Sequence, residues 1–305
     1  MSFQLSPGVN VSEVDLTTIV PSVSTSAGAF AGYFPWGPAQ KTILVDSEVT
    51  MVNRFAPQGP DANSATPFFT AASFLAYGNN LTIVRAVGAG AFNADANTAQ
   101  TNIQIANEDI FQAGGYIASG AGNLYGAFAS RYPGALGNSI QVDTFDSSNT
   151  SVFSTATFTS GNVTRNWNTV VSAAPSTSAY TAAQGGANDE FHIVVTDAGG
   201  LITGTKGTIL ETYPFISKAS DAALNGNSNF FRQVVFNQSK YIYAIDSVDY
   251  ANTKSTWGTV AANTTYARTN IANTTTSLSG GTDAVGTDAN LQTAYGLFAN
   301  KDTID

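Results

Sequence analysis

The stretch PFFTAASFLAYGNNLTIVRAVG, residues 67–88, carries the strongest structural pattern of the chain. Its first half has apolar side chains at helical spacing from Phe68 to Tyr77, and Gly78 stands where a helix commonly ends. Its second half, Leu81–Val87, is a short apolar run bounded by glycine, which is typical of a buried strand. The stretch therefore predicts a helix followed directly by a buried strand.

The residues before this stretch continue the same alternation. Val23–Gly32 has the β-branched and small residues of a buried strand, and Lys41–Val45 has the pattern of a short strand. Ser47 then caps a helical turn that ends before Pro57. Residues 21–88 thus alternate strands and helices, which is an α/β pattern.

After Gly88 the composition changes to small and polar residues, with short β-type fragments separated by Gly, Pro and Asn. The strands predicted between residues 92 and 187 are Ile103–Ile105, Ile140–Phe145, Ser151–Thr159 and Thr169–Ser172. From Asp189 the α/β pattern returns. The elements predicted there are strands at Phe191–Thr196, Thr208–Tyr213, Phe230–Asn237 and Lys240–Ala244, and helices at Phe215–Leu224 and Asn290–Phe298.

These patterns predict an α+β multidomain protein. Its mixed α/β core domain is discontinuous, with residues 21–91 and 188–283, and is interrupted by a peripheral β-rich insertion domain, barrel-like or sandwich-like, at residues 92–187. An extended N-terminal arm, residues 1–20, precedes the core, and residues 284–305 are expected to be the start of a truncated C-terminal α/β portion.

Charge is scarce in this chain. Of its 305 residues only 11% are charged, against about 25% in an ordinary globular domain. Such a composition suits a surface that lies against other protein, and equally a Thr- and Asn-decorated soluble β-rich domain. The net charge is −9 and the twelve basic residues are scattered singly, so a nucleic-acid partner is not expected. No apolar run approaches the roughly 20 residues of a membrane span, so membrane insertion is not expected either.

Few residue types remain for catalysis or cofactor binding. The chain has no cysteine and one histidine, His192, which excludes thiolate and multi-histidine metal sites. Alternation places His192 opposite Phe191 and Ile193 on its strand, which predicts an exposed or interfacial side chain rather than a catalytic base. The glycine-rich segments lack the phosphate-loop and dinucleotide signatures.

Neighbouring carboxylates are the other candidates for chemistry. The pairs are Asp143/Asp146, Asp189/Glu190, Asp246/Asp249 and Asp283/Asp288. In a chain with 21 acidic residues, such pairs arise readily and favour solvated surface or intersubunit ion pairs. The sequence therefore predicts no catalytic, cofactor-binding or metal site, and no enzyme.

A series of short motifs runs through nearly the whole chain. They are SPGVNVSEV (6–14), VSTSAGAFAG (23–32), WGP (36–38), FLAYG (74–78), LTIVRAV (81–87), YPG (132–134), GNSIQV (137–142), FHIVVTDAGG (191–200) and LSGGTD (278–283). Each motif alone is weak, but their common order is specific. In this order the chain resembles the contractile phage tail sheath proteins, and through the run GTKGTILETYPFISKA (204–219) those of T-even-like myoviruses.

The resemblance implies a structural protein whose copies polymerise as a helical cylinder around a tail tube and contract to drive the tube through the host envelope for genome delivery. It implies a location in the virion, with assembly in the bacterial host cytoplasm. It also implies that the N-terminal arm pairs as a strand with neighbouring subunits. The arm residues are Pro7, Gly8, Val9, Val11, Glu13 and Val14.

Sheath proteins of this type continue beyond the Gly-Gly-Thr-Asp motif into a larger α/β portion that contacts the tube. This sequence ends at Asp305. We therefore expect contacts with the tail tube and baseplate proteins to belong to a C-terminal portion that the sequence does not contain.

Two other functions stay open at the level of sequence. One is a soluble β-rich adhesion or receptor-binding virion module that shares only the arm. The other is an enzyme, such as a glycosidase that uses one carboxylate pair. Helical polymers would favour the sheath subunit, whereas hydrolytic activity lost on replacing Asp246 or Asp249 would favour the enzyme.

Overall fold

The computed structural model describes residues 27–59, 62–96, 102–114, 127–146, 150–245, 256–267, 273–284 and 286–299. The predicted arm, residues 1–20, lies outside the described residues. The strands are β1 Ala27–Gly32, β2 Thr42–Val45, β3 Asn80–Arg85, β4 Phe128–Ser130, β5 Ile140–Phe145, β6 Thr157–Ser160, β7 Val163–Asn166, β8 Glu190–Asp197, β9 Thr208–Ser217, β10 Ala223–Leu224, β11 Asn227–Ser228, β12 Ile242–Ala244 and β13 Asn273–Ser277. The α-helices are α1 Glu48–Phe55, α2 Ala62–Leu75, α3 Glu108–Gln112, α4 Ala179–Ala183, α5 Phe231–Gln238 and α6 Asp288–Gly296. Short 3₁₀ helices lie at Ala135–Ser139, Thr150–Ser154, Trp167–Thr169 and Leu297–Ala299.

The first sheet confirms the α/β pattern predicted around LTIVRAV. Its strand order is β1-β3-β2, with β1 parallel and β2 antiparallel to β3. Leu81 and Ile83 pack with α1 and with Phe68 of α2. On the opposite face Val84 packs with Ala294 of α6. Helices therefore cover both faces of β3, which is why this strand is a continuous apolar run rather than an alternating one.

The second sheet has the order β13-β5-β8-β9 and is antiparallel throughout. Its two central strands are buried on both faces. Val142, Ile193 and Val195 face a core that includes α5, whereas Phe145 and Val194 face a second core built around aromatic side chains. Because neither face of β5 or β8 reaches water, every polar side chain on these strands requires a protein partner.

The predicted barrel or sandwich in residues 92–187 is not confirmed. Of the described strands in this range, β6 and β7 pair with each other, β4 pairs with β12, and β5 pairs with β8 and β13. The second sheet thus joins strands from both sides of the predicted boundary at residue 187. The division of the chain into core and insertion domains stays a prediction.

Two predicted elements near residues 215–237 are wrong. Phe215–Leu224 is not a helix, because β9 continues to Ser217 along β8. Phe230–Asn237 is not a strand but forms most of α5. The buried residues of α5, Phe231, Val234 and Val235, recur at helical spacing, and packing of that face against the second sheet outweighs the β preference of its valines.

Three further predicted strands differ from the structure in the region around residues 103–172. Ile103–Ile105 and Thr169–Ser172 lie outside the strands, although both isoleucines are buried. Ser151–Thr159 begins as a 3₁₀ helix and becomes a strand only at Thr157. Short apolar runs of this kind have the same composition in strands and in buried loops, so their type depends on contacts distant in the sequence.

Arg85, at the end of β3, connects two loops through its guanidinium group. Its Nε donates to the Phe34 carbonyl at 2.7 Å, one Nη to Gly37 at 2.8 Å and the other to Pro133 at 2.7 Å. The side chain is buried, and burial lowers its pKa to about 10, with Asp283 acting in the opposite direction. Arg85 therefore stays charged at neutral pH and holds the loop after β1 against the loop after β4.

Replacing Arg85 with Met is expected to destabilise the fold by roughly 3 kcal/mol or more, because three buried carbonyls lose their donors. The measurement is the free energy of unfolding in urea. Arg54→Met, the same replacement at an exposed arginine, is the control and should change stability by less than about 0.5 kcal/mol. Equal effects at the two positions would contradict the role given to Arg85.

Asp143 of β5 is a buried carboxyl group that the sequence pattern wrongly assigned to the surface. Thr275 of β13 donates to it at 2.6 Å, and Gln141 Nε2 donates to its second oxygen at 2.9 Å. Burial raises the pKa of Asp143 to about 6, although both hydrogen bonds act to lower it. The surface assignment fails because β5 is covered on both faces.

The raised pKa of Asp143 predicts a pH-dependent stability difference for Asp143→Asn. In the unfolded chain an aspartate ionises near pH 4, so rising pH ionises the unfolded state first and weakens the folded wild type. Between pH 5 and 7.5 the stability of the variant relative to wild type should therefore rise by about 1 kcal/mol. Urea unfolding across this range measures it, and the exposed Asp288→Asn is the control. A difference independent of pH would refute the prediction.

Candidate assembly surface

The predicted arm residues cannot be placed on the structure, because Pro7, Gly8, Val9, Val11, Glu13 and Val14 all lie outside the described residues. The structure describes the chain from Ala27, the first residue of β1. Within the described residues β1 pairs only with β3. The predicted arm therefore precedes a strand at the edge of the first sheet, and its pairing with neighbouring subunits stays a prediction.

His192 is buried, which corrects the prediction of an exposed or interfacial side chain. Alternation does place it opposite Phe191 and Ile193, but the second face of β8 is also covered. At this point β9 contains an extra residue, and the Phe215 N–H donates to His192 Nδ1 at 3.0 Å. Nε2 therefore carries the proton and donates to the Ala173 carbonyl at 2.9 Å. Both ring nitrogens are used in packing a β-bulge, so the imidazole has a structural role.

Most carboxylates of the predicted pairs have structural partners where the structure describes them, whereas Asp288 is exposed in the first turn of α6. Asp146 accepts from the buried ammonium of Lys218 at 2.7 Å, and that ammonium also lies 4.9 Å from the ring centre of Trp257. Asp189 accepts from the backbone and hydroxyl of Ser178 and from Ser217. The remaining partners are Ser176 for Glu190 and the Ala135 amide for Asp283. Asp246 and Asp249 lie outside the described residues.

The described residues contain no cluster of three or more His, Asp or Glu side chains that could hold a metal ion. None of the helices in this part of the chain is both long and apolar enough to cross a membrane. Burial of Tyr132 raises the pKa of its hydroxyl group, and the nearby Glu108 carboxylate raises that pKa further.

The described residues form an open groove of 580 Å³, which we call the basic groove. Three separate segments form it: the end of α1, the turn after β8, and the loop that connects α5 to β12. Trp36, Arg131 and Tyr132 also line it, and the rings of Trp36 and Tyr132 meet edge to face at 5.4 Å. The lining also includes the charged side chains of Arg54, Glu108 and Lys240 and the apolar side chain of Leu201.

Arg131 is the fixed cation of the basic groove. Its guanidinium lies 4.4 Å from the ring centre of Tyr243, and that ring stacks on Phe111 at 4.1 Å. One Nη donates to the Phe236 carbonyl at 2.9 Å and the other to Glu108 at 3.4 Å. Glu108 is the carboxylate among the lining residues, so the groove carries net positive charge in a chain whose net charge is −9.

The turn after β8 presents an apolar side chain on a rigid support. Asp197 accepts hydrogen bonds from the backbone of Gly200, Ile202 and Thr203 and from two hydroxyl groups. These bonds fix the turn, yet Leu201 at its tip is 63% exposed. A rigid turn that exposes a leucine beside a groove is suited to packing against another protein surface.

The basic groove was not predicted from the sequence. Its three cations, Arg54, Arg131 and Lys240, come from three regions of the chain, and each is an isolated basic residue without a motif. One local sequence signal for the groove is the DAGG turn, residues 197–200, which is followed by Leu201 and Ile202. A turn sequence followed by two large apolar residues could have marked Leu201 as an exposed contact.

No family model matches the chain. A tail sheath protein of Salmonella phage ViI is 32% identical over 209 residues, 68% of this chain and 28% of that protein. A tail sheath protein of Enterobacteria phage T4 is 41% identical over 102 residues, and one of Vibrio phage KVP40 is 37% identical over 103 residues; each match covers 14% of the relative. The chain thus spans less than a third of the length of these relatives.

Solved structures of sheath tail proteins from Listeria innocua and Desulfitobacterium hafniense align with TM-scores of 0.43 and 0.39 and identities of 10% and 11%. The alignments cover 90% and 99% of this chain, and 38% and 43% of those structures. The sequence matches are the ones that identify the chain. They confirm the resemblance carried by the ordered motifs: over the region that they cover, this chain belongs with the tail sheath proteins of phages.

Proposed function

We propose that this chain is a structural subunit of a contractile phage tail sheath. Its copies polymerise as a helical cylinder around the tail tube, and the cylinder contracts to drive the tube through the host envelope for genome delivery. The observation that carries this proposal is the 32% identity over 209 residues to a tail sheath protein. The protein acts in the virion and assembles in the host cytoplasm, and its partners there are further copies of itself, the tail tube and the baseplate.

The buried polar groups of the described residues support a structural role over an enzymatic one. The side chains of three buried polar residues, His192, Lys218 and Asp197, form hydrogen bonds with strands, loops or turns of the fold. A catalytic acid or base instead needs an atom that can reach a substrate. Contraction requires no such group, since an assembled lattice can be a trapped state that exchanges one set of contacts for a better one.

The N-terminal arm supplies the connection between subunits in this proposal. The backbone of residues 8–16 adds a strand to a neighbour's sheet edge, and Val9 and Val11 are its side-chain anchors. Backbone hydrogen bonds hold such a strand while the bodies of the subunits rotate. The arm precedes β1, so one extended chain passes from the neighbour into the first sheet.

Deleting residues 1–20 is expected to abolish polymerisation and leave the monomer fold intact, because the arm contributes pairing between subunits and no core. Electron microscopy should show helical polymers for the full chain and dispersed particles for the deletion. Thermal unfolding of the two monomers should coincide. A deletion that lowers the unfolding temperature would show that the arm belongs to the core.

A finer test uses the alternation of side chains along the arm. Val9→Ser with Val11→Ser should reduce polymerisation, because both anchors lie on one face of an extended strand. Asn10→Ala with Ser12→Ala, on the opposite face, is the matched control and should polymerise like wild type. Equal loss in both variants would contradict the anchor roles. A wild-type chain that stays monomeric at high concentration would favour the adhesion module over the sheath subunit.

A further inference from the structure

A corner of the surface at the turn between β2 and α1 combines exposed apolar and acidic side chains; we call residues 44–49 the acidic corner. Leu44 is 64% exposed and Val49 is 71% exposed. Asp46 and Glu48 lie between them in the chain, and neither forms an ion pair with another described residue. A hydrogen bond from Thr50, above all, holds the pKa of Asp46 below its ordinary value. The corner is therefore negatively charged at neutral pH.

The basic groove has the complementary chemistry. Arg54 and Lys240 are exposed on its walls, and within the described part of the chain neither forms an ion pair. Leu201 offers an exposed apolar contact on its rim. The groove thus exposes two cations and a leucine. The corner exposes two carboxylates and two aliphatic side chains.

The corner and the groove adjoin the same helix: the corner lies at its start, and the groove runs along it from Thr50 to its last turn. Glu48 begins α1, and Arg54 is in its last turn. Eight helical residues separate the two ends by about 12 Å. Because both surfaces are fixed to this helix, a molecule cannot bring its own corner into its own groove. A contact between them requires a second copy of the chain.

We propose that the basic groove of one copy receives the acidic corner of the next copy, with Glu48 facing Arg54 and Val49 packing on Leu201. This inference rests on the proposed function, because it names a surface through which sheath subunits meet. Such a contact joins two different surfaces, and where the two copies are not related by a two-fold axis each keeps a free corner or a free groove for a further copy. Heterologous contacts of this kind propagate into rings or open helical filaments, which is the symmetry that a sheath requires.

A second copy fits the groove better than an unrelated partner does. The chain carries 21 acidic and 12 basic residues, so copies of it repel one another unless their few cations lie where they meet. Three of these cations, Arg85, Arg131 and Lys218, are buried within the fold. Of the exposed cations, Arg54 and Lys240 share one concave surface beside an apolar rim.

A charge-reversal cycle tests the contact. Arg54→Glu and Glu48→Lys should each raise the concentration needed for polymerisation by about tenfold, because each places like charges together at every contact. The double variant restores opposite charges and should polymerise at close to the wild-type concentration. Light scattering and electron microscopy give the readout. Lys206→Glu, which reverses an exposed cation outside the groove, should assemble normally.

The rescue separates an intersubunit contact from a defect in α1. A lysine in the first turn and a glutamate in the last turn both oppose the helix dipole. The double variant therefore has the least stable helix of the set, and a purely structural effect would make it the poorest at assembly. Recovery of assembly in the double variant can arise only from the contact between copies.

The absence of cysteine from the chain permits a direct test of proximity. Leu201→Cys on one population and Val49→Cys on another should form a mixed disulfide under mild oxidation once polymers are assembled. Leu201→Cys mixed with Tyr77→Cys, at a position 97% exposed elsewhere on the surface, is the control and should not crosslink above background.

The outcomes distinguish this inference from the proposed function. If wild type polymerises but Arg54→Glu also polymerises normally, the groove is not a contact and the inference is wrong. If Arg54→Glu fails while Glu48→Lys assembles like wild type, the groove receives another segment, such as the N-terminal arm, and the corner is rejected. If wild type itself does not polymerise under any condition, the proposed function fails and the inference fails with it.

Discussion

One buried guanidinium group fixes the relation between the first sheet and the loops beside it. Arg85 ends β3 and donates to carbonyls of the two loops that contain Trp36 and Tyr132. These two aromatic rings contact each other in the basic groove. The shape of the groove thus depends on a residue that does not line it. A lysine could not replace this residue, because one ammonium group cannot match three carbonyls in the fork geometry of a guanidinium.

The sequence predicted elements best where local pattern and tertiary environment agree. β3 and β8 were placed correctly because long apolar or β-branched runs have few alternatives. In residues 215–237 a helix was predicted where β9 ends and a strand was predicted where α5 lies. Phe215 continues β9 through a bulge, and α5 is helical because its buried face packs against the second sheet. His192 was assigned to the surface because alternation separates two faces but cannot show that both are covered. Asp143 was assigned there because carboxylate pairs arise readily in a chain with 21 acidic residues. The basic groove could not be predicted, because its cations are distant in sequence and meet only in the fold.

Charge is scarce on the surface, as it is in the composition. Three cations, Arg85, Arg131 and Lys218, are buried against carbonyls, carboxylates or aromatic rings. They join segments of the same chain. Among the described residues five aspartates, Asp95, Asp143, Asp146, Asp189 and Asp197, are buried as well, so the surface stays acidic and has few cations. Copies of such a chain associate only if the remaining cations are concentrated at a contact, and the basic groove is such a concentration.

In the contraction that we propose, contacts between subunits are exchanged, and such a contact cannot be as strong as a buried core. Exposed ion pairs contribute about 0–1 kcal/mol each, whereas separating a buried pair leaves an uncompensated charge that costs about 3–5 kcal/mol. The described fold keeps Lys218 with Asp146 inside the subunit, where the pair is never separated, and leaves Arg54 and Lys240 exposed. Weak contacts repeated at every subunit can hold a cylinder together and still be exchanged one after another, while the backbone pairing proposed for the arm keeps the lattice connected.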